Sequence, residues 1–110
     1  LDTIFSNSYK ALKPGGIFGV VEHRANEGTT LGMMKKSGYV TEKHAIDMAK
    51  KHGFELVSKS EVNSNPKDIK NYPKGVWTLP PNLRMKEVDK EKYLEIGESD
   101  RMTLLFRKPL

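Results

Sequence analysis

The chain has 110 residues, 36% apolar and 30% charged, with a formal net charge of +5, the balance of one ordinary globular domain with a small core. It has no cysteine and no apolar run near the roughly 18 residues of a membrane span, which excludes disulfides, thiolate metal sites, cysteine nucleophiles and a helical membrane segment in these residues. Lysines are interleaved with Glu and Asp, as in "VDKEKYLE" and "TEKHAIDMAKK", so the positive charge reads as solvated surface and nucleic acid is not an expected partner.

Leu1, Ile4, Phe5, Tyr9 and Leu12 recur at helical spacing and predict a first helix. Lys10 and Lys13 suit its negative end, and Pro14-Gly15-Gly16 stops it. Leu1 enters that helix uncapped, as though more chain preceded it. Residues 17–21 are unbroken apolar, the pattern of a strand covered on both faces, and the strand is expected over 17–23. Residues 24–39 are polar and glycine-bearing and read as a long loop. A second helix has clear punctuation: Thr41 as N-cap, Glu42 in the first turn, Lys50 and Lys51 in the last, and Gly53 just beyond. Its apolar face carries Ala45, Met48 and Ala49.

A strand over 54–62 follows, apolar first and then alternating towards solvent. Asn65-Pro66 predicts a short helical turn, "YPKGVWTLPPNLR" holds too many prolines for regular structure, and residues 88–97 suggest a short helix. Residues 101–107 alternate as a last strand, which Pro109 ends. The class is therefore α/β, and its strand–helix–strand unit implies a parallel pair.

Three stretches taken in order, "LKPGGIFGVVEHR", "GYVTEKHAIDMAKKHGFELVSKSEV" and "ESDRMTLLFRKP", resemble the C-terminal half of class I S-adenosylmethionine-dependent methyltransferases. More narrowly they are similar to a bacterial group known only as predicted methyltransferases, which "NPKD" and "GVWTLPP" also resemble. The resemblance implies a partial Rossmann-like fold, with a three-stranded mixed sheet in the order 5-7-6 of the full fold and flanking helices. The last strand would be central and antiparallel to both others. It also implies that residues 1–110 are one domain, the substrate-side half of an enzyme truncated upstream.

S-adenosylmethionine is that family's cofactor, and the partner would be a small-molecule acceptor of unstated identity. The family's glycine-rich cofactor loop and ribose-binding carboxylate have no counterpart here. The glycines of "KPGGIFG" precede a strand, whereas a nucleotide fingerprint runs strand, Gly turn, helix. No cofactor binding and no activity are therefore expected of this chain alone. A stand-alone binding or interaction module is the alternative reading. The chain begins with Leu1 rather than Met, so compartment stays open, with the cytoplasm as default and export allowed.

Glu22, His23 and Arg24 end the first strand at its carboxyl edge, where open α/β sheets bind ligands. They are the catalytic candidates: His23 as base, Glu22 orienting it, Arg24 steadying an anionic substrate. Three polar residues where a strand meets solvent explain the same pattern equally well. Trp77 suits either a cover over a substrate pocket or a core plug, and Arg101 either an ion pair with Asp100 or the rim of the site. These two are the substrate-binding candidates. His44 and His52 have no third ligand in register and read as surface or packing residues, so no metal site is expected. The run over 17–21 has no proline, lysine or inward charge to guard its edge, which predicts a homo-oligomer.

Overall fold

The computed structural model describes residues 2–110, so the uncapped entry expected at Leu1 lies outside the described residues. Helix α1 (Asp2–Ala11) leads into β1 (Ile17–His23), followed by α2 (Leu31–Ser37), α3 (Glu42–Lys51) and β2 (Glu55–Ser60). A 3-10 turn at Gly75–Thr78, α4 (Lys90–Ile96) and β3 (Arg101–Arg107) complete the chain. The sheet has the order β1-β3-β2. Strand β3 is central and antiparallel to both neighbours, pairing Ile17 with Arg107 through His23 with Arg101 on one side, and Glu55 with Arg107 on the other.

Central placement of β3 was the expected arrangement, but "mixed" was not correct. Strands β1 and β2 run the same way without touching, so both ladders are antiparallel and the expected parallel pair does not form. By itself such a sheet is not the parallel sheet of a Rossmann fold.

Local chemistry accounts for the element ends. Thr41 caps α3 as expected, its hydroxyl accepting from His44 N at 3.0 Å. Lys108 caps the far end of α1, its ammonium donating to the carbonyls of Tyr9 at 2.7 Å and Leu12 at 2.9 Å. Two expectations fail locally. Within residues 24–39 the chain forms α2, because Thr30 accepts from Met33 N and Gly38 closes the helix in the left-handed region. Asn65-Pro66 starts no helix: the Asn65 side chain accepts from Lys67 N at 3.0 Å and makes a turn.

The core lies on one face of the sheet. Phe18, Val20, Leu56, Met102, Leu104 and Phe106 pack there against Phe5 and Tyr9 of α1 and against Ala45 and Ala49 of α3. Phe5 meets Phe18 and Phe106 edge-on at 5.9 Å, the geometry aromatic quadrupoles favour. The other face is bare, which corrects the expectation that β1 is covered on both sides. Ile17 is 63% and Val21 51% exposed, and a Cβ on Gly19 would meet nothing within 4 Å. A second, smaller cluster of Ala25, Tyr39 and Val76 sits beyond the carboxyl end of β1, with Tyr72 against it.

Candidate functional site

Alternation along β1 sends Glu22 and His23 to opposite faces, while the register sets His23 directly across from Arg101. Glu22 Oε1 accepts from the backbone N–H of His23 at 2.9 Å. The imidazole has a different partner: His23 Nδ1 lies 2.5 Å from Ser99 Oγ. Ser99 is buried, so it holds the ring in one orientation. Tyr39 meets that ring edge-on at 6.3 Å.

Arg24 is the hub of an ion cluster. Its Nε and Nη2 grip Asp100 at 2.9 Å each, Nη1 reaches Glu42 at 2.9 Å, and Glu61 accepts from Nη1 at 3.1 Å and Nη2 at 2.7 Å. All five N–H donors of the guanidinium are thus committed to carboxylates. Lys70 adds a second cation on Asp100 at 2.9 Å, and Lys59 pairs with Glu42 at 3.1 Å. Burial would raise the Asp100 carboxyl. The hydrogen bonds from Arg24, Lys70 and the Asn65 backbone outweigh it and hold the group well below the usual carboxylate range.

Beneath this cluster Asp68 is buried and accepts from Tyr39 OH at 2.9 Å, Tyr72 OH at 2.9 Å, Lys70 N at 2.9 Å and Asp100 N at 2.8 Å. The two aspartates therefore tie the loop over 61–72 to the end of β1. Burial first, then the neighbouring Asp68, pushes the Tyr72 hydroxyl up to about 12 and raises Tyr39 beyond the phenol range. Both hydroxyls stay protonated and act as fixed donors.

A shallow cleft of about 500 Å³ is lined by the scaffold itself, through Arg24, Glu61, Asp68 and Asp100, and two more lie beside it. A small one of about 120 Å³ holds His23 and Ser99 together with Trp77, Leu79, Asn82 and Glu98. A larger one of about 1070 Å³ opens between α2, the loop after β1 and residues 70–77. Trp77 lines both and forms the wall between them.

Of the residues singled out from the sequence, His23 and Trp77 thus come together in one cleft. Glu22 and Arg24 are neighbours of that cleft in the chain but face other partners. Arg101 lines none of these clefts; its Nε is buried without a hydrogen-bond partner, and its Nη2 stands 4.0 Å from Glu98. Ser99 and Lys70 escaped the sequence reading, and Asp68 entered it only as part of the turn begun by Asn65-Pro66. The polar run "ESD" before the last strand is the one local sign that Ser99 and Asp100 turn towards a site. Among the described residues no cluster of three or more His, Asp or Glu side chains could hold a metal ion, and no helix is long and apolar enough to cross a membrane.

No protein-family model matches the chain, and no curated protein matches it.

Proposed function

We propose that this chain is the acceptor-side portion of an S-adenosylmethionine-dependent methyltransferase. One observation carries the reading: β3 is inserted between β1 and β2, antiparallel to both, which is the 5-7-6 order the sequence resemblance implies. The clefts support it by opening at the carboxyl end of β1, the ligand edge of open α/β sheets.

The glycine-rich loop and ribose-binding carboxylate of the resembled family have no counterpart among these residues, so the cofactor's cradle is assigned elsewhere. What these residues offer is the acceptor side. His23, held through Nδ1 by Ser99, presents Nε2 as a base for an acceptor hydroxyl or amine proton. Glu22 steadies the backbone at His23, and Arg24 fixes the strand end through its carboxylates rather than by touching substrate.

A stand-alone binding module is the second reading. It is favoured by the completeness of the Arg24 cluster, whose partners all come from within this chain. Calorimetric titration with S-adenosylmethionine separates the two. The 110-residue chain is expected to give no micromolar binding, and the product of the genomic reading frame extended upstream of Leu1 is expected to bind. A start codon at Leu1, or an extended product without cofactor affinity, overturns the methyltransferase reading.

A further inference from the structure

The larger cleft has a one-signed lining. Its charged residues are Lys36, Lys70, Lys74 and Arg84, and no carboxylate lines it. Lys70 is held by Asp100, whereas among the described residues Lys36, Lys74 and Arg84 have no ion-pair partner. Asp68 lies behind Tyr39 and Tyr72 at one end, and the three unpaired cations leave a net positive lining, which raises the local concentration of anions.

The wall between the cations is aromatic and fixed. Trp77 is 38% exposed although its neighbours Val76 and Thr78 are buried, so the indole is displayed rather than plugged into the core. Gly38 backs it so closely that a Cβ there would stand 2.9 Å from the ring. Gly75 brings the 3-10 turn equally hard against Ser37 of α2. A rigid indole and three unpaired cations lining one cleft of about 1070 Å³ suit a ligand with a flat apolar body and an anionic group.

We infer that this cleft binds a small aromatic acid, a molecule with a planar ring and a carboxylate or phosphate. The ring lies against Trp77, and the anion is taken by Lys36, Lys74 and Arg84. That such a molecule is the methyl acceptor rests on the function proposed above; that the cleft binds it does not.

Trp77 is the only tryptophan, so its emission reports binding without any cofactor present. Benzoate and phenyl phosphate, titrated separately, distinguish a carboxylate from a phosphate headgroup. Saturable quenching by either supports the assignment, provided phenol and inorganic phosphate bind about tenfold more weakly, the worth of one charge-assisted hydrogen bond. The combined variant Lys36→Gln, Lys74→Gln, Arg84→Gln removes exposed side chains and keeps the fold, and is expected to weaken binding by about tenfold or more. The pair Lys36→Arg, Lys74→Arg is expected to retain it. Phenol binding as tightly as phenyl phosphate, or unchanged binding by the glutamine variant, overturns the inference. A single-stranded oligonucleotide that binds where both acids fail overturns it in favour of a nucleic-acid surface. Because no cofactor takes part, a chain that binds aromatic acids yet belongs to no methyltransferase refutes only the earlier proposal.

Discussion

Arg24 and Asp100 lie 76 residues apart and together fasten the last strand to the end of the first. Asp100 is buried and doubly paired, so removing its charge strands Lys70 and half of the Arg24 fork. Asp100→Asn is expected to cost about 3 kcal/mol at neutral pH, the low end for breaking a buried pair, because Glu42 and Glu61 still hold Arg24. The sign with pH follows from the depressed carboxyl. Its contribution is fully present above the ordinary value of 3.8 and is lost as pH falls below that towards the lower folded value. Urea unfolding of both proteins should therefore show a wide gap at neutral pH and a narrower one at about pH 3. A gap that does not change with pH would mean the Asp100 charge is not what holds the cluster. At this scale the sequence marks the strand-end trio as polar and little more. The type of residue at position 24 is legible, but the distant carboxylates that claim its donors are set by topology.

Elements were legible where periodicity is long. Strands β1 and β3 fall at the expected residues, β3 because strict alternation has one reading, and β1 because its short apolar run is bounded by Pro-Gly-Gly and a polar trio. That run is nonetheless bare on one face rather than covered on both. Helix α3 is announced by its cap. Helix α2 is only seven residues and carries Gly32 inside it, so its apolar period is too short to outweigh the flanking glycines. Its Thr30 and Gly38 caps set the ends, and the 3-10 turn that docks on its last residues adds tertiary support. Gly75 makes that docking possible: its φ is +61°, and a Cβ would stand 2.5 Å from the Ser37 carbonyl oxygen, backbone that cannot swing aside. Gly75→Ala is expected to cost at least about 1–2 kcal/mol from the left-handed conformation alone, with the clash added. Thermal unfolding measures that loss, and a red-shifted Trp77 emission is the sign that the turn has lifted off α2. An unchanged melting temperature would show that this contact adds nothing to stability. The same displacement should abolish binding in the larger cleft.

Over the whole molecule, the two edges of the sheet are unlike. The β2 edge is blunted by a bulge at Val57 and by the charges of Glu55 and Lys59. The β1 edge is covered only at its end, where the His23 carbonyl accepts from Val40 N at 2.8 Å; over residues 17–21 it has no partner strand among the described residues and no proline or charge. Its bare face adds Ile17 and Val21, beside Leu105 of the central strand. The chain is also open in shape, with a radius of gyration of 15.4 Å against about 13 Å for a compact domain of similar length, and extents of 51 × 27 × 23 Å. An apolar face next to an unpaired stretch of edge is best buried against its own copy, because a two-fold axis joins the two β1 edges at once and leaves only the blunted β2 edges exposed. A homodimer through β1 is the expected state, and light scattering after size exclusion should give twice the 12.5 kDa of one chain. Val21→Lys places a charge on the bare face at a half-exposed position, so it should leave the fold intact and return the protein to a monomer. A native chain that is already monomeric at micromolar concentration, with the amides of β1 protected from exchange, would show that the edge is not a dimer interface. A dimer that survives Val21→Lys would move the interface away from this face.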